Sequence, residues 1–481
     1  MKSYIKKSIF SFLFVVSLTV MAVGNLFAEE TSIENLYKYK LKNGLELFVA
    51  ENHTVPLAYI EICVRGGGIA QTPENAGLFH LYEHLMFKGN KKYKTSEEIQ
   101  AAFSNLGVAE WNGSTAYEYV NYYFTVPSEK LKEGLEFWSY AIRTPLIDKR
   151  EFEAEKKVVI SEIDGAMADP SFKMNDFISQ KMFPAAPWIR RPGGTREVVE
   201  KSTVKDLKKI QKEYYIPNNA SLYVGGDVNP DEVYALVNKI YGSWKKGKNP
   251  WENNVTEYTK TPLEKTEFYV MPHDKISPQM AQILVNWRGP DAEFDREDTY
   301  AADMLFHIVN NPQSNFIQSM VNNPQLGIPA EDYLDCSYFT RRRIGIIQSV
   351  AVMLSPEQFL PLRTKMFVEN IPQAIEDSLV FSEDESELNL VKKRLYNEEI
   401  FNRETTSDLL TTARFWWCCA DSDYYFTYTD NVAKTKSSDL SALVNKYIKN
   451  KNALVIVLIN PDVYEQCKND FEENGFLELL K

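Results

Sequence analysis

The sequence has 481 residues, and its 66 Asp and Glu outnumber its 54 Lys and Arg, which gives a formal net charge of -12. This acidic balance argues against a nucleic-acid-binding protein, which needs a basic face for the phosphates. The five cysteines are odd in number and irregularly spaced, which is not the pattern of a disulfide framework, and no C-x-x-C metal motif occurs. At this length we expect more than one domain.

The N-terminal stretch, residues 1–28, has the pattern of an export signal. Three lysines precede an apolar run from Ile9 to Val23, and Ala28 stands before two acidic residues. The run is too short to span a bilayer comfortably, and a small final residue suits cleavage. We therefore predict a signal peptide and an exported protein, periplasmic in a bacterium, with no membrane span after cleavage. An uncleaved N-terminal anchor and release into the medium are the alternatives.

Beyond residue 28, the predicted elements come in runs of strands and runs of helices. Strands are predicted near 37–42, 45–51 and 58–65, then helices near 76–88 and 95–106, a β-meander over 107–127, and helices near 129–143 and 148–166. An Asn43-Gly44 turn joins the first two strands. Such runs, in place of strict alternation, predict an α+β fold with an antiparallel sheet.

The chain then repeats part of itself. Five residues recur at an offset of 233, as the pairs Asp206/Asp439, Leu207/Leu440, Tyr214/Tyr447, Asn219/Asn452 and Ala220/Ala453. A hydrophobic strand and an Asn-Pro-Asp triplet follow each copy. Identities at one spacing in one context predict a duplicated unit, with chance similarity as the alternative.

The stretch 245–265 separates the two copies. It is rich in Lys, Asn and Pro and lacks periodicity, which is typical of a linker. We therefore predict a signal peptide at 1–28, a first half at 29–244, the linker at 245–265 and a homologous second half at 266–481. Each half is predicted as an antiparallel sheet flanked by helices.

The helix predicted at 76–88 carries a candidate metal site. His80 and His84 are one turn apart, so their Cβ atoms lie about 5–6 Å apart on one face and both imidazoles can bind one ion. Glu83 projects beside that ion, where a carboxylate can take a proton from an attacking water and pass it to a leaving amine. The order is H-x-x-E-H, the reverse of the thermolysin-type motif. The alternative is an amphipathic helix with two incidental histidines at its edge.

The helix predicted at 148–166 offers the third protein ligand that a catalytic zinc needs. Glu155, Val158, Val159 and Glu162 share one helix face, which the valines mark as directed at the core. Carboxylates on a buried face are costly unless a metal or strong donors satisfy them. We predict Glu162 as the third ligand and Glu155 as a group that orients a histidine or Glu162. The alternative is that both glutamates point outward into a solvated cluster with the adjacent lysines.

These motifs resemble those of the insulinase–pitrilysin family of zinc peptidases, the inverzincins. "GLFHLYEHLMFKG", residues 77–89, is similar to the first-helix signature, and "EFEAEKKVVISEIDG", residues 151–165, to the distal motif with the third ligand. In "WNGSTAYEYVNYYF" Asn112 matches an asparagine that holds substrate backbone in the family. The chain most resembles the branch of mitochondrial processing peptidase and its bacterial relatives, over nearly all of the predicted mature chain.

The resemblance implies a clamshell of two α+β halves that encloses a peptide or an unfolded polypeptide and adds it as a strand to a sheet edge. It implies an endopeptidase with one Zn²⁺ per chain, held by His80, His84 and Glu162, with Glu83 as the general base. The second half lacks H-x-x-E-H, so its His307 is expected to be a packing residue and that half to be non-catalytic.

The second half also departs from the family pattern. Active members carry there an arginine and a tyrosine that bind substrate and stabilise the oxyanion, whereas this chain aligns Val321 and Ile328. Tyr333, Tyr338 and the arginines at 341–343 lie downstream, so a local misalignment is the alternative. We expect a dimer, as a heterodimer with a paralogue that carries the Arg/Tyr pair. A structural subunit of the same fold and a peptide-capture module that does not cut are the competing predictions.

Overall fold

The structure is a computed structural model that describes residues 29–31, 33–252, 263–382 and 385–479. The predicted signal peptide at 1–28 lies outside the described residues, as does the middle of the predicted linker, 253–262. Within the described ranges, no helix combines the length and the apolar character that crossing a bilayer requires.

Two sheets with attached helices make up the described part of the chain. The strands of the first sheet are β1 (Glu29–Glu30), β2 (Leu36–Lys40), β3 (Glu46–Glu51), β4 (Leu57–Arg65), β5 (Glu110–Thr115), β6 (Tyr119–Pro127) and β7 (Ala220–Gly226). The helices in the same part of the chain are α1 (Leu78–Met86), α2 (Ser96–Leu106), α3 (Leu131–Arg143), α4 (Lys149–Ala168), α5 (Pro170–Met182), α6 (Arg196–Lys201), α7 (Val204–Tyr214) and α8 (Pro230–Tyr241).

The second part of the chain follows the same plan. Its strands are β8 (Glu267–Pro272), β9 (Met280–Arg288), β10 (Leu334–Tyr338), β11 (Ile346–Leu354), β12 (Leu454–Ile459) and β13 (Leu477–Glu478). Its helices are α9 (Arg296–Val309), α10 (Asn315–Val321), α11 (Leu360–Asp377), α12 (Ser386–Phe401), α13 (Thr406–Cys419), α14 (Ser422–Phe426), α15 (Tyr428–Lys434), α16 (Ser437–Tyr447) and α17 (Pro461–Glu473).

Five strands of each sheet share one topology. The strand order is β1-β2-β3-β7-β4-β6-β5 in the first sheet and β10-β11-β9-β12-β8-β13 in the second. Strands β5, β6, β4, β7 and β3 thus correspond to β10, β11, β9, β12 and β8. Most neighbours are antiparallel, but β3 pairs in parallel with β7, as β8 does with β12, and helices along the intervening chain allow the crossover. The outer strands differ, because β13 is parallel to β8 whereas β2 is antiparallel to β3. The predicted α+β fold with two similar halves is confirmed.

Helix α1 is anchored at its N-terminus by a glycine. Gly77 has φ +94°, and a Cβ atom there would lie only 2.6 Å from the carbonyl oxygen of Gly193. The Gly77 amide also donates to Oε1 of Gln71 at 2.5 Å. Every residue of α1 is buried except His80 and His84, which are half-buried. The helix therefore presents both histidines on its one accessible face.

Helix α4 buries a stripe that differs by one position from the prediction. Asp148 caps the helix, and its core residues are Phe152, Glu155, Val159 and Ile163. Val158 is 44% exposed, so the prediction that it faces the core is wrong. The Glu162 side chain is 49% exposed, because it stands at the border of the stripe rather than within it.

Each half covers a sheet face of the other half. Helices α13 and α14 pack on the first sheet in a cluster that includes Leu410 and Trp417 with Phe48 and Tyr223. In return, α5 packs on the second sheet through Met174, Ile178 and Met182, against residues of β8, β9 and β12. The halves are therefore joined through two apolar contacts in addition to the chain connection.

Candidate metal centre

His80 and His84 of α1 and Glu162 of α4 bring three ligand atoms to one point. The two Nε2 atoms are 3.3 Å apart, and Oε2 of Glu162 lies 3.6 Å from each. Tetrahedral zinc with ligand distances of about 2.0–2.2 Å separates its ligands by about 3.3–3.6 Å. The residues present therefore fit zinc. In the part of the chain that the structure describes, they are the one group of His, Cys, Asp and Glu close enough to hold a metal.

The three-ligand cluster is open on one side. The side chains of His80 and His84 are 22% and 17% exposed, and that of Glu162 is 49% exposed. Structural zinc sites close four protein ligands around the ion, whereas catalytic sites keep a position for water or substrate. Three ligands with a solvent-facing side therefore match the catalytic type.

The histidines are arranged to offer lone pairs to a metal. Burial, assisted by His84, lowers the pKa of His80 to about 4, so this imidazole is neutral at neutral pH. Nδ1 of His84 lies 3.0 Å from Oε2 of Glu155. A carboxylate at Nδ1 selects the tautomer with the proton on Nδ1, which leaves Nε2 free to ligate. Nδ1 of His80 has no hydrogen-bond partner among the described residues.

Glu155 is held in its charged form by Lys88. The Glu155 residue is 7% exposed, and its Oε1 lies 2.8 Å from Nζ of Lys88. Burial alone raises the pKa of Glu155, but the hydrogen bonds from Lys88 and His84 outweigh burial and lower it. The sequence reasoning did not single out Lys88. A signal was present, because Lys88 is four residues after His84, at the end of the helix predicted at 76–88.

Glu83 lies beside the ligands in a buried position and is held by strand β5. Its Oε2 accepts a hydrogen bond from Oγ1 of Thr115 at 2.8 Å. Burial raises the pKa of Glu83, and the Thr115 bond and His84 oppose that rise. A carboxylate with a raised pKa is a stronger base for a water proton. Gly113 lets β5 pass this closely, because a Cβ atom there would lie 3.2 Å from Oε1 of Glu83. Thr115 is a second residue that the sequence reasoning missed.

The strand that carries Thr115 is an edge of the first sheet. Strand β5 pairs with β6 on one side and ends the strand order on the other. Asn112 is exposed on β5, and its Oδ1 accepts from the amide of Gly113 at 2.9 Å. An open edge can accept an extended peptide by main-chain pairing. The substrate-binding role of Asn112 stays a prediction.

In the second half, the helix comparable to α1 is α9, which carries His307 in place of the H-x-x-E-H motif. Nε2 of His307 lies 3.5 Å from Oε2 of Glu398. Both residues line a cavity of about 440 Å³ together with Asp303 and Arg394. His307 therefore borders a cavity, in contrast to the packing position that we predicted. No second histidine joins it among the residues that line this cavity.

The residues aligned with the expected Arg/Tyr pair face the interior of the second half. Ile328 is 4% exposed, and Val321 packs partly buried against the same core. Tyr338 donates from its hydroxyl to the carbonyl oxygen of Pro290. Of the arginines at 341–343, the last two pair with Glu293. The first reaches the other half and lies over the ring of Tyr117, 4.7 Å from its centroid.

Two models of known protein families match the chain. The family model "Insulinase (Peptidase family M16)" matches residues 47–190, which include α1 and α4. A second model of the same family, "Peptidase M16 inactive domain", matches residues 201–375. The chain belongs to the insulinase family. The second match begins within the predicted first half, and its description agrees with the missing H-x-x-E-H motif in the second half.

Relatives within the insulinase family are named as zinc proteases. The zinc protease PqqE of Helicobacter pylori is 25% identical over 454 residues, which are 92% of this chain and 97% of the relative. A solved protease from Helicobacter pylori has a TM-score of 0.70 at 21% identity, over 89% of this chain and 100% of that chain. The first half of the periplasmic protease PqqL from Escherichia coli also has a TM-score of 0.70, at 19% identity, over 94% of this chain and 99% of that chain. This chain spans 51% of the whole PqqL. The structural matches show the fold alone.

Proposed function

We propose that this protein is an exported zinc-dependent endopeptidase that hydrolyses peptides or unfolded polypeptide segments between its two halves. One observation carries the proposal. His80, His84 and Glu162 converge at 3.3–3.6 Å beside a buried Glu83. Two relatives that are named as zinc proteases support it, and the intact H-x-x-E-H motif supplies two metal ligands and the base.

The residues around the three metal ligands have separate roles in hydrolysis. Zinc, when bound, supplies Lewis acidity that activates a water and polarises the scissile carbonyl. Glu83, oriented by Thr115, takes the proton of the attacking water and delivers it to the leaving amine. Glu155 keeps His84 in the ligating tautomer. The open edge of β5 aligns the peptide through its main chain, which accounts for tolerance of varied sequences.

The proposal includes one zinc ion per chain. The described residues hold one group that fits a metal, and it contains a single set of three ligands. Metal analysis of the purified protein should therefore give one zinc per chain, lost when His80 or His84 is replaced by alanine.

We also propose that full activity needs a partner chain. In our alignment Val321 and Ile328 stand at the positions of the Arg/Tyr pair, and both pack against the core of their own half. Loss of one oxyanion donor typically reduces kcat by about 10²–10³. A paralogue that carries the pair would supply it in a heterodimer. Strong peptidase activity of this chain purified alone would contradict this part of the proposal.

A second candidate function follows from the same observation. If no partner supplies the missing donors, the open β5 edge captures peptides without cutting them, as a peptide-binding subunit of the same fold. Turnover separates the two functions, because the capture module binds zinc and peptide but releases the peptide intact.

The proposal of export rests on the signal-peptide pattern of residues 1–28. N-terminal sequencing of the protein recovered from its native cells tests it. A mature protein that begins near Glu29 supports cleavage, whereas a chain that still begins at Met1 in the cytoplasm contradicts export.

The test of the peptidase function is hydrolysis of a quenched fluorescent peptide library by the purified, zinc-loaded protein. Glu83→Gln serves as the blank, because it keeps the shape and the metal ligands but removes the base. Turnover above the blank, lost on chelation and restored by zinc, is the expected result. Zinc-loaded protein without turnover, even with a candidate paralogue, would favour the capture function. Absence of zinc binding would overturn both.

A further inference from the structure

Two of the five cysteines meet at the contact between the halves. Cys63 on β4 and Cys418 on α13 are 0% and 1% exposed. Their Sγ atoms lie 3.5 Å apart, although 355 positions separate them in the chain. Cys419, the neighbour of Cys418, points elsewhere, with its Sγ 3.5 Å from the carbonyl oxygen of Thr340. The pairing therefore selects one cysteine of an adjacent pair.

Contacts on both sides of the thiols set their register. Alternate residues of a strand point to one face, and three of them on β4 meet one side of α13. In order along the strand these contacts are Glu61–Arg414, Cys63–Cys418 and Arg65–Trp417.

One flanking contact is a buried ion pair, and the other is partly buried. Nε of Arg414 lies 2.7 Å from Oε1 of Glu61, with both side chains almost fully buried. The Arg65 guanidinium donates to the carbonyl oxygen of Trp417 and lies 3.8 Å from the centroid of the Trp417 ring. Because an ion pair lies on one side and a stacked pair on the other, sliding of the helix along the strand would break both. The thiols are thus held face to face.

We propose that Cys63 and Cys418 are a covalent modification site at which a disulfide joins the two halves. A disulfide needs an S–S distance of about 2.05 Å, so the sulfurs must approach by about 1.5 Å through small side-chain rotations. The oxidant is a disulfide donor, either a small molecule such as glutathione disulfide or the disulfide of an oxidoreductase. The proposal does not depend on the peptidase function.

The exchange balances as two successive thiol–disulfide steps. The thiolate of one cysteine attacks a sulfur of the donor, forms a mixed disulfide and releases the first donor thiolate. The second cysteine loses its proton and attacks the protein sulfur of the mixed disulfide, which releases the second donor thiolate. The two donor thiolates take up the two protons. Two protein thiols are oxidised and one donor disulfide is reduced to two thiols.

Burial of the two thiols determines when the disulfide exchange can occur. It raises the pKa of the Cys63 thiol, and the surrounding apolar cluster excludes a donor from the closed contact. Reaction therefore takes place while the chain folds, or during local opening of the contact. Once formed, the bond keeps the halves joined even after a cut in the predicted linker at 245–265.

The experiment is a thiol count on the full chain. The protein is refolded with and without glutathione disulfide, denatured, alkylated with iodoacetamide and measured by intact mass. We expect five alkylated cysteines without the oxidant and three with it, and one linked peptide pair that contains Cys63 and Cys418. Reduction should restore five. Five alkylated cysteines after oxidative refolding, or a linked pair that contains Cys419, would overturn the proposal.

Two adjacent cysteines provide the matched control. Cys419→Ser should still lose two thiols on oxidation, whereas Cys418→Ser should lose none to an internal disulfide. A second readout uses the wild-type protein alone and so does not depend on how the variants fold. After limited proteolysis between the halves, the oxidised protein should migrate on a denaturing gel as one species without reductant and as two species with reductant. Two species without reductant would contradict the cross-link.

Discussion

Glu155 contacts His84 on the side away from the metal position, and Lys88 holds Glu155 in turn. Replacement by glutamine keeps an acceptor for Nδ1 but removes the charge that favours the ligating tautomer. We expect Glu155→Gln to weaken zinc binding by about 10–100-fold, as measured by competition with a fluorescent chelator. The matched control is Glu153→Gln on the same helix, where the side chain is 53% exposed and pairs with Lys156. Equal zinc affinity of the Glu155 variant and wild type would show that Glu155 has no part in metal binding.

Thr115 acts at the opposite side of the site, through Glu83. Thr115→Val keeps the shape of the side chain and removes the hydrogen bond to Oε2 of Glu83. If Thr115 orients the base, kcat should fall about 10-fold, since a lost hydrogen bond to a charged group is worth about 1.5–3 kcal/mol and part of it is regained by rearrangement. Zinc content and KM should stay near the wild-type values. Thr115→Ser restores the hydroxyl and should recover most of kcat; a fall in zinc content instead would assign Thr115 a structural role.

At the scale of elements, the helix that carries the histidines depends on a glycine contact. A Cβ atom at Gly77 would meet the backbone of Gly193, and φ is positive there, so Gly77→Ala is strained twice. We expect it to lower the free energy of unfolding by about 2 kcal/mol or more. Gly165→Ala in α4 is the control, because nothing lies within 4 Å of its added Cβ. That substitution should raise stability by about 0.5–1 kcal/mol. Urea denaturation measures both, and equal effects would refute this account of α1.

Helix α9 of the second half gives the stability a pH dependence. Burial raises the pKa of Asp303 from 3.8 to about 7, against a hydrogen bond from Tyr428 that lowers it. Because the folded state holds this proton more tightly than the unfolded state does, stability falls as pH rises from about 4 to about 7. Asp303→Asn removes the penalty, so it should match wild type at pH 4. At pH 8 the free energy of unfolding of the variant should exceed that of wild type by on the order of 2 kcal/mol. This gain is smaller than the full pKa shift would give, because water in the adjacent cavity weakens the penalty of burying the charge. A constant difference across this range would contradict the assignment.

The first elements of the chain could be predicted closely, because their signals are local. The predicted strands at 45–51 and 58–65 and the helices at 76–88 and 95–106 agree within two residues with the observed β3, β4, α1 and α2. The H-x-x-E-H spacing places both histidines on one face through helix geometry alone. Glu162 could be proposed because α4 places it seven residues after Glu155.

The remaining features depend on distant parts of the chain. Helix α5 was not predicted, because its apolar face packs on the sheet of the other half and has no local counterpart. Val158 and Val159 look equivalent in the sequence, yet one is exposed and one buried. Thr115 reaches Glu83 only because β5 passes next to α1, a contact that joins residues 32 positions apart. The Cys63–Cys418 contact likewise arises from the packing of the halves.

At the scale of the whole molecule, the buried Glu61–Arg414 pair is a polar contact inside an apolar interface. Glu61 is also bound by Asn121 and Tyr59. Arg414→Met leaves the carboxylate without its cation, which typically costs about 3–5 kcal/mol. The double variant Glu61→Gln/Arg414→Met removes both charges and should recover most of that loss. Chemical denaturation of wild type, the single variant and the double variant measures these differences. An Arg414 variant as stable as wild type would show that the pair does not hold the halves together.

The exchange of covering helices also dictates the order in which the molecule can fold. A ribosome delivers the first sheet long before residues 406–425, whose side chains cover Phe48 and Tyr223. For most of synthesis that sheet face stays uncovered, and its contacts join residues several hundred positions apart, which makes folding slow and exposes the chain to aggregation. A chaperone that binds exposed apolar strands, and dissociates only after the last third of the chain has been synthesised, would therefore raise the yield of native protein more than one that acts on either half alone.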